Sequence, residues 1–385
     1  MTLVTRIYMD PQLTAKPSKF ERFGLYHLSQ FSRAGKAGDA FNLSDEELTC
    51  QVNRISTWGI ALSCLVGLIF VFPMIYVDVR FANDAPWIHY SWVVGAMAIG
   101  TLIEFYCIFY ISLKAVHQVS ELIHLENAMH ESLEDGIFGV KNILARTALE
   151  IDDPKLKILG IDPFKRISKK NLLVLGMLYK GKIIVTNLAL KAILRLTVGS
   201  AILGIPILYV AIPVEMFWNG LVILKVIREA RLRLFGYALA NKIADSVTRE
   251  GYLDILSPEA KKGCLRAIGN AVVMTQNYHP NMVILLLRFQ SLLQIHEEDG
   301  YDDWLPFLKT LNEVSEQERN FLLDLLTVAA AFDGNLSRIE KEHMNEAYQQ
   351  DAELYLQRLK NLTDDLKCGK LNSALALCQL DFIKG

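Results

Sequence analysis

The chain has 385 residues, enough for more than one domain, and its net charge of −2 offers no basic field for nucleic acid. Apolar residues make up 52% of it and the mean hydropathy is +0.24, yet charged residues reach 21%, which excludes a chain buried wholly in lipid. Six cysteines without a CxxC pair exclude a zinc knuckle and a disulfide framework.

Met1–Gln51 is polar and mixed in charge and lacks the basic start of a cleaved signal peptide, so the first apolar block is expected to be an uncleaved anchor. Residues 1–43 read as a cytoplasmic arm with a short helix near Arg22–Phe31. Ser44-Asp45-Glu46-Glu47 is a capping box, in which the hydroxyl accepts from an early N–H and Glu47 reaches back, so a helix is expected to start there.

Three apolar blocks follow: Thr57–Val77 without a charge, Trp87–Leu113 with Glu104, and Leu196–Ile227 with Glu215 and Lys225. At about 1.5 Å per residue, roughly 20 apolar residues cross about 30 Å of hydrocarbon. The first two blocks each predict one span, within a helical hairpin over 44–135 that continues as an amphipathic helix past Lys114. Residues 136–195 read as a basic, cytoplasmic or interfacial segment. The third block is too long for one crossing and barely long enough for two. With basic residues on both flanks, it predicts a membrane hairpin over 196–234, bent near Pro213 or re-entrant. One long tilted span is the alternative. The same charge bias puts both chain ends in the cytoplasm. From 235 to 385 the pattern is all-helical, with caps at Ser257-Pro258 and Ser315–Glu318 and a final helix over Glu340–Leu366. The expected fold class is therefore all-α: membrane helices followed by a cytoplasmic helical bundle.

Phe321–Ala331, an alanine-rich apolar helix, is followed by Phe332, Asp333-Gly334, Leu336, Ser337 and Glu340. Gly334 suits the left-handed turn that closes a helix, and Ser337 with Glu340 forms a capping box for the next. This helix corner resembles the central signature of the tellurite-resistance B-like (TerB-like) helical domain. The likeness is close over about twenty residues and loose over Leu256–Leu366. It implies an interaction or sensing module on a bacterial inner-membrane protein. An EF-hand does not fit, because Arg338 and Met344 stand where such a loop needs glycine and glutamate.

An intramembrane carboxyl is costly and is therefore a functional candidate, which singles out Glu104 and Glu215; the structural alternative is a carboxyl bonded inside the bundle. Lys165, Arg166, Lys169, Lys170, Lys180 and Lys182 form a basic cluster beside apolar sequence. It suits anionic lipid headgroups at about 1 kcal/mol per cation, or serves orientation alone. His117, Glu121 and His124 share one helix face, and Glu340-Lys-Glu-His343 repeats the Glu-x-x-His spacing of dimetal bundles. With so many glutamates a solvated face explains both, and no metal is expected. Small residues such as Ser91/Gly95 and Ala96/Gly100 suit close helix packing.

No phosphate loop, dinucleotide fingerprint, zinc-protease motif or nucleophile elbow occurs, so neither enzymatic activity nor a cofactor is expected. The leading expectation is an inner-membrane scaffold or sensor, forming homo-oligomers and acting on protein partners through its C-terminal domain in envelope or stress response. The alternatives are an oligomeric ion channel or transporter with Glu104 in its pathway, and a lipid-handling protein.

Overall fold

The computed structural model describes residues 17–31, 43–123, 139–151, 159–161, 207–275, 279–295, 300–336 and 338–380. Among these residues the regular elements are helices and no strand occurs. The basic cluster from Lys165 to Lys182, His124, Ser337 and residues 196–206 lie outside the described residues.

Helix α1 (Lys19–Phe31) agrees with the short helix expected there. Helix α2 (Asp45–Arg80) starts on the Ser44 capping box, with Glu47 N–H donating to Ser44 Oγ at 3.2 Å and Ser44 N–H to Glu47 Oε2 at 3.1 Å. It continues through Pro73. Helix α3 (Pro86–Leu122) follows a short link, with proline at its first position, where no N–H is needed. Both helices are long and apolar enough to cross a membrane. Each has 36 or 37 residues, about 55 Å, so each outruns a 30 Å hydrocarbon core. Their outward faces are apolar: Trp58, Leu65, Ile69 and Phe72 on α2 and Trp92, Ile99 and Leu102 on α3 are exposed. Past the apolar blocks, the stem residues Leu48, Val52, Val116 and Val119 are buried. Helix α4 (Val140–Ala148) packs on α1, where a Cβ at Gly24 would come within 2.9 Å of Ala145 Cβ. The fully buried Arg146 of α4 lies 3.4 Å from Glu21 of α1.

Helix α5 (Ile207–Arg249) organises the molecule. Its first half packs against α2 and α3 and its second half against the C-terminal helices. The expected break near Pro213 does not occur: from Ile207 onward the segment is one helix that passes through Pro213, while residues 196–206 of the expected hairpin lie outside the described residues. A proline removes one N–H and crowds the carbonyl of Tyr209, yet the helix continues past it. The boundary expected at 234/235 also falls inside α5.

After a single turn, α6 (Tyr252–Ile255), come α7 (Pro258–Thr275), α8 (Pro280–Leu293), α9 (Trp304–Glu313) and α10 (Glu316–Ala331). The Ser315 capping box is formed, and Ser257 accepts from Ala260 N–H at 3.2 Å. Helix α10 lies at the centre, with Phe321, Leu322, Leu325, Leu326 and Ala329 wholly buried. The single final helix expected over Glu340–Leu366 is two: α11 (Arg338–Tyr348) and α12 (Ala352–Cys368), divided by a 3₁₀ turn at Gln349–Asp351. Gln349 takes a left-handed φ of 52°, which interrupts the helix, while the stacked rings of Tyr348 and Tyr355 hold the corner with centroids 4.5 Å apart. Helix α13 (Leu371–Leu377) returns to the start of α2, where Asp45 accepts from the backbone N–H groups of Asn372 at 2.8 Å and Ser373 at 3.0 Å.

Candidate functional site

The apolar hairpin and the first half of α5 enclose a polar cluster. Glu104 of α3 is 2% exposed, Glu215 of α5 is 1%, and Asn219 of α5 and Ser63 of α2 are fully buried. Asn219 Nδ2 donates to Glu104 Oε1 at 2.7 Å and approaches the Ser63 carbonyl at 3.5 Å. Cys64 Sγ donates to the Met216 carbonyl at 3.1 Å, a further link between α2 and α5. Glu215 lies one turn before Asn219 on the same α5 face and is equally buried, and the Asn219 amide meets the Glu104 carboxyl of α3 and a backbone carbonyl of α2.

Small residues create that convergence. A Cβ on Gly67 would come within 2.8 Å of Asn219 Nδ2 and 3.2 Å of the Glu215 carbonyl carbon, and one on Gly59 within 3.0 Å of Ile223 Cγ2. Glycine on α2 therefore brings the α5 backbone close enough for Asn219 to reach across to Glu104. Two independent counts give the depth. Gly67 is about 15 Å along α2 from Thr57, and Glu104 is about 14 Å along α3 from Leu113; in helices crossing a 30 Å core from those residues, both would stand near the middle. An ionised carboxylate at such depth is expensive unless paired or bonded, and an amide donor offsets part of that cost.

The second half of α5 carries another polar group, away from the apolar hairpin. Arg233 Nε donates to Glu229 Oε1 at 2.7 Å, and His279 Nε2 lies 3.9 Å from the same oxygen. Burial, aided by the Arg233 charge, pushes His279 down to a pKa of about 3. Asn281, the second residue of α8 and fully buried, donates to the Leu232 carbonyl on α5 at 3.0 Å and to the Phe332 carbonyl at 3.1 Å. It joins α5, α8 and the end of α10. The helix corner identified from sequence is at this joint. Gly334 takes φ +72°, the left-handed turn expected, and its Cα faces Leu232 so closely that a Cβ would come within 2.9 Å of Leu232 Cδ2. Leu336 is half-buried and packs on the core. Asp333 accepts from Asn335 N–H at 2.7 Å; burial, with Glu340 adding, raises its pKa to about 7. Glu340 is 1% exposed. Arg231 donates to the Lys367 carbonyl at the end of α12, a cation on a helix C-terminus.

Of the residues singled out by sequence, Glu104 bonds Asn219 and Glu215 is buried one turn before Asn219 on α5, while Asp333 and Glu340 are buried at the helix corner. His117 lies 3.4 Å from Glu121 and stacks on Phe31, with ring centroids 5.6 Å apart. His343 packs edge-on to Trp304. No group of three or more metal-ligating side chains occurs among the described residues. Sequence reasoning missed Asn219, His279 and Asn281. Asn219 did carry a signal, an amide inside an apolar block one turn after Glu215. Compared with protein-family models, with curated proteins and with solved structures, the chain matches none.

Proposed function

We propose that the chain is an integral membrane sensor, in which protonation or cation occupancy at Glu104, Asn219 and Glu215 sets the position of α5 and the C-terminal helices present that position to a protein partner. One observation carries this reading: a single uninterrupted helix of 43 residues holds Glu215 and Asn219 near one end and Leu232 and Arg233 further on. Asn219 and Leu232 are about 20 Å apart along it, and a rigid helix with two packing arrangements transmits displacement over that distance. The likeness of the Asp333-Gly334 corner to TerB-like domains supports an interaction role and, with the charge bias of the flanks, a bacterial inner membrane with both chain ends cytoplasmic. The small-residue faces and exposed apolar surface suit homo-oligomers in lipid.

The test is amide hydrogen exchange of the full chain in nanodiscs, wild type against Glu104→Gln. Glutamine keeps the acceptor for Asn219 and removes the titratable proton. Altered protection in α8 and around Asp333-Gly334 supports the sensor; change confined to α2, α3 and the first half of α5 contradicts it.

The second reading is an ion channel or transporter, favoured by the Glu104–Asn219 bond at mid-depth. It predicts cation or proton flux into liposomes that Glu104→Gln reduces about tenfold or more, and equal flux in the two proteins dismisses it.

A further inference from the structure

A cavity of about 50 Å³ lies between α3, the end of α4 and α5, one to two turns from Glu104 toward the C-terminal end of α3. Asn219, the residue that holds Glu104, lines it, and so does Glu150. Glu150 Oε1 accepts from Lys225 Nζ at 2.9 Å, and the Lys225 side chain is 66% exposed, so the cavity leads from a solvated ion pair to the buried cluster.

Ser112 gives the cavity its chemistry. Serine and threonine inside helices ordinarily return their hydroxyl to a carbonyl of the preceding turn. Thr57, Ser63, Ser91 and Ser120 all do so, donating to Asn53, Ile60, Trp87 and His117 at 2.6–2.9 Å. Ser112 does not. Its side chain is 1% exposed, it lines the cavity, and its Oγ has no hydrogen-bond partner among the described residues. A buried hydroxyl without a partner costs about 1–3 kcal/mol, and a water needs about 10–15 Å³ of such space and two to four polar neighbours. Ser112, Asn219 and Glu150 supply the neighbours, and the volume suffices for a few molecules.

We infer that this cavity is a hydrated vestibule by which water reaches the Asn219 wall of the buried cluster from the Lys225–Glu150 side. It gives the proposed sensor its access: when the Asn219 amide turns away from Glu104, the carboxyl meets water, and its proton passes to a water molecule to leave carboxylate and hydronium. This inference rests on the sensing reading of Glu104.

Two measurements on the full chain in nanodiscs test it. The first compares Ser112→Cys with Ser120→Cys for labelling by a charged, water-soluble methanethiosulfonate, read by mass spectrometry. Both serines are 1% exposed on the same helix, but only Ser112 lines the cavity. Labelling at 112 at least about ten times faster supports the vestibule; equal rates overturn it. The second needs no substitution. Hydroxyl-radical footprinting of the wild type should oxidise Leu149, 4% exposed and lining the cavity, several times faster than Leu144, 3% exposed and outside it. Equal protection overturns the inference even where the cysteine variants do not fold. If 112 stays unlabelled while Glu104→Gln still alters hydrogen exchange in α8, the vestibule fails and the sensor stands; labelling at 112 with no such change gives the reverse.

Discussion

The two halves of α5 handle buried polar groups differently. In the apolar half, Asn219 makes one short side-chain bond, to Glu104 of α3 at 2.7 Å, and a long approach of 3.5 Å to the Ser63 carbonyl of α2, with a hydrated cavity inferred beside it. In the second half, Asn281 bonds two carbonyls at once, Arg233 pairs with Glu229, and Arg231 caps α12. The first arrangement centres on one short bond to a titratable partner, which a change of protonation or a water can exchange. The second is multiply tied and moves with α5 as a body. A sensor needs this asymmetry: a weakly held trigger and a firmly held output.

Six substitutions at five positions probe the contrast, beginning with the largest effect. A Cβ on Gly236 would lie 2.0 Å from Asn281 Nδ2, so Gly236→Ala should cost about 3 kcal/mol in denaturant unfolding of the C-terminal helices. At the trigger, Gly67→Ala meets the amide end of Asn219 at 2.8 Å and should cost only about 1 kcal/mol, because that side chain can turn away. Similar costs at the two glycines would remove the asymmetry.

Asp333→Asn should act through pH. The folded-state carboxyl keeps its proton up to a pH of about 7, the unfolded one only to about 3.8. The folded state therefore gains below 3.8 and loses that gain as pH rises through 7. Asparagine keeps the acceptor for Asn335 N–H and removes the buried charge, so it should stabilise by about 2 kcal/mol at pH 8.5 and by little at pH 4. Thermal unfolding at the two pH values is the check, and a uniform shift would contradict the account. His279 works in the opposite direction: unfolded it binds a proton near 6.5, folded only near 3, so stability should fall as pH drops through that window.

At the trigger, Glu104→Gln should change stability by less than about 0.5 kcal/mol, whereas Glu104→Leu strands the Asn219 amide and should cost about 1–2 kcal/mol. Equal costs would mean that Asn219 finds another acceptor. The smallest effect belongs to Glu150→Gln at the mouth of the vestibule, where loss of an exposed ion pair with Lys225 should cost about 0.5 kcal/mol or less, screened by salt.

Local signals in the sequence reached local features. The boxes at Ser44 and Ser315 require residues only three apart, and both formed. The Asp333-Gly334 turn follows from glycine's freedom at positive φ. The two apolar blocks declared themselves by length, and Glu104 by its oddity within one of them. What escaped depends on partners distant in sequence. Asn219 finds Glu104 across 115 positions, and Asn281 finds Leu232 across 49. No periodicity encodes such pairs; the close approach of α2 and α5 at Gly59 and Gly67 does. Pro213 misled because a proline removes one N–H without always ending a helix: α5 runs through it as α2 runs through Pro73. Gln349 hid its break for the opposite reason, since a good helix former was turned left-handed by the corner around Tyr348 and Tyr355.

The central claim is that α5 carries the state of Glu104 to the C-terminal helices. Pulsed electron resonance between spin labels at Asp84→Cys, in the exposed link between α2 and α3, and Leu354→Cys, exposed on α12, reads it directly, with the exposed Cys50 and Cys368 replaced by serine. With Glu104→Gln added in nanodiscs, the account predicts a shift of the distance distribution by about 1–2 Å or more. An unchanged distribution in the folded variant would contradict it.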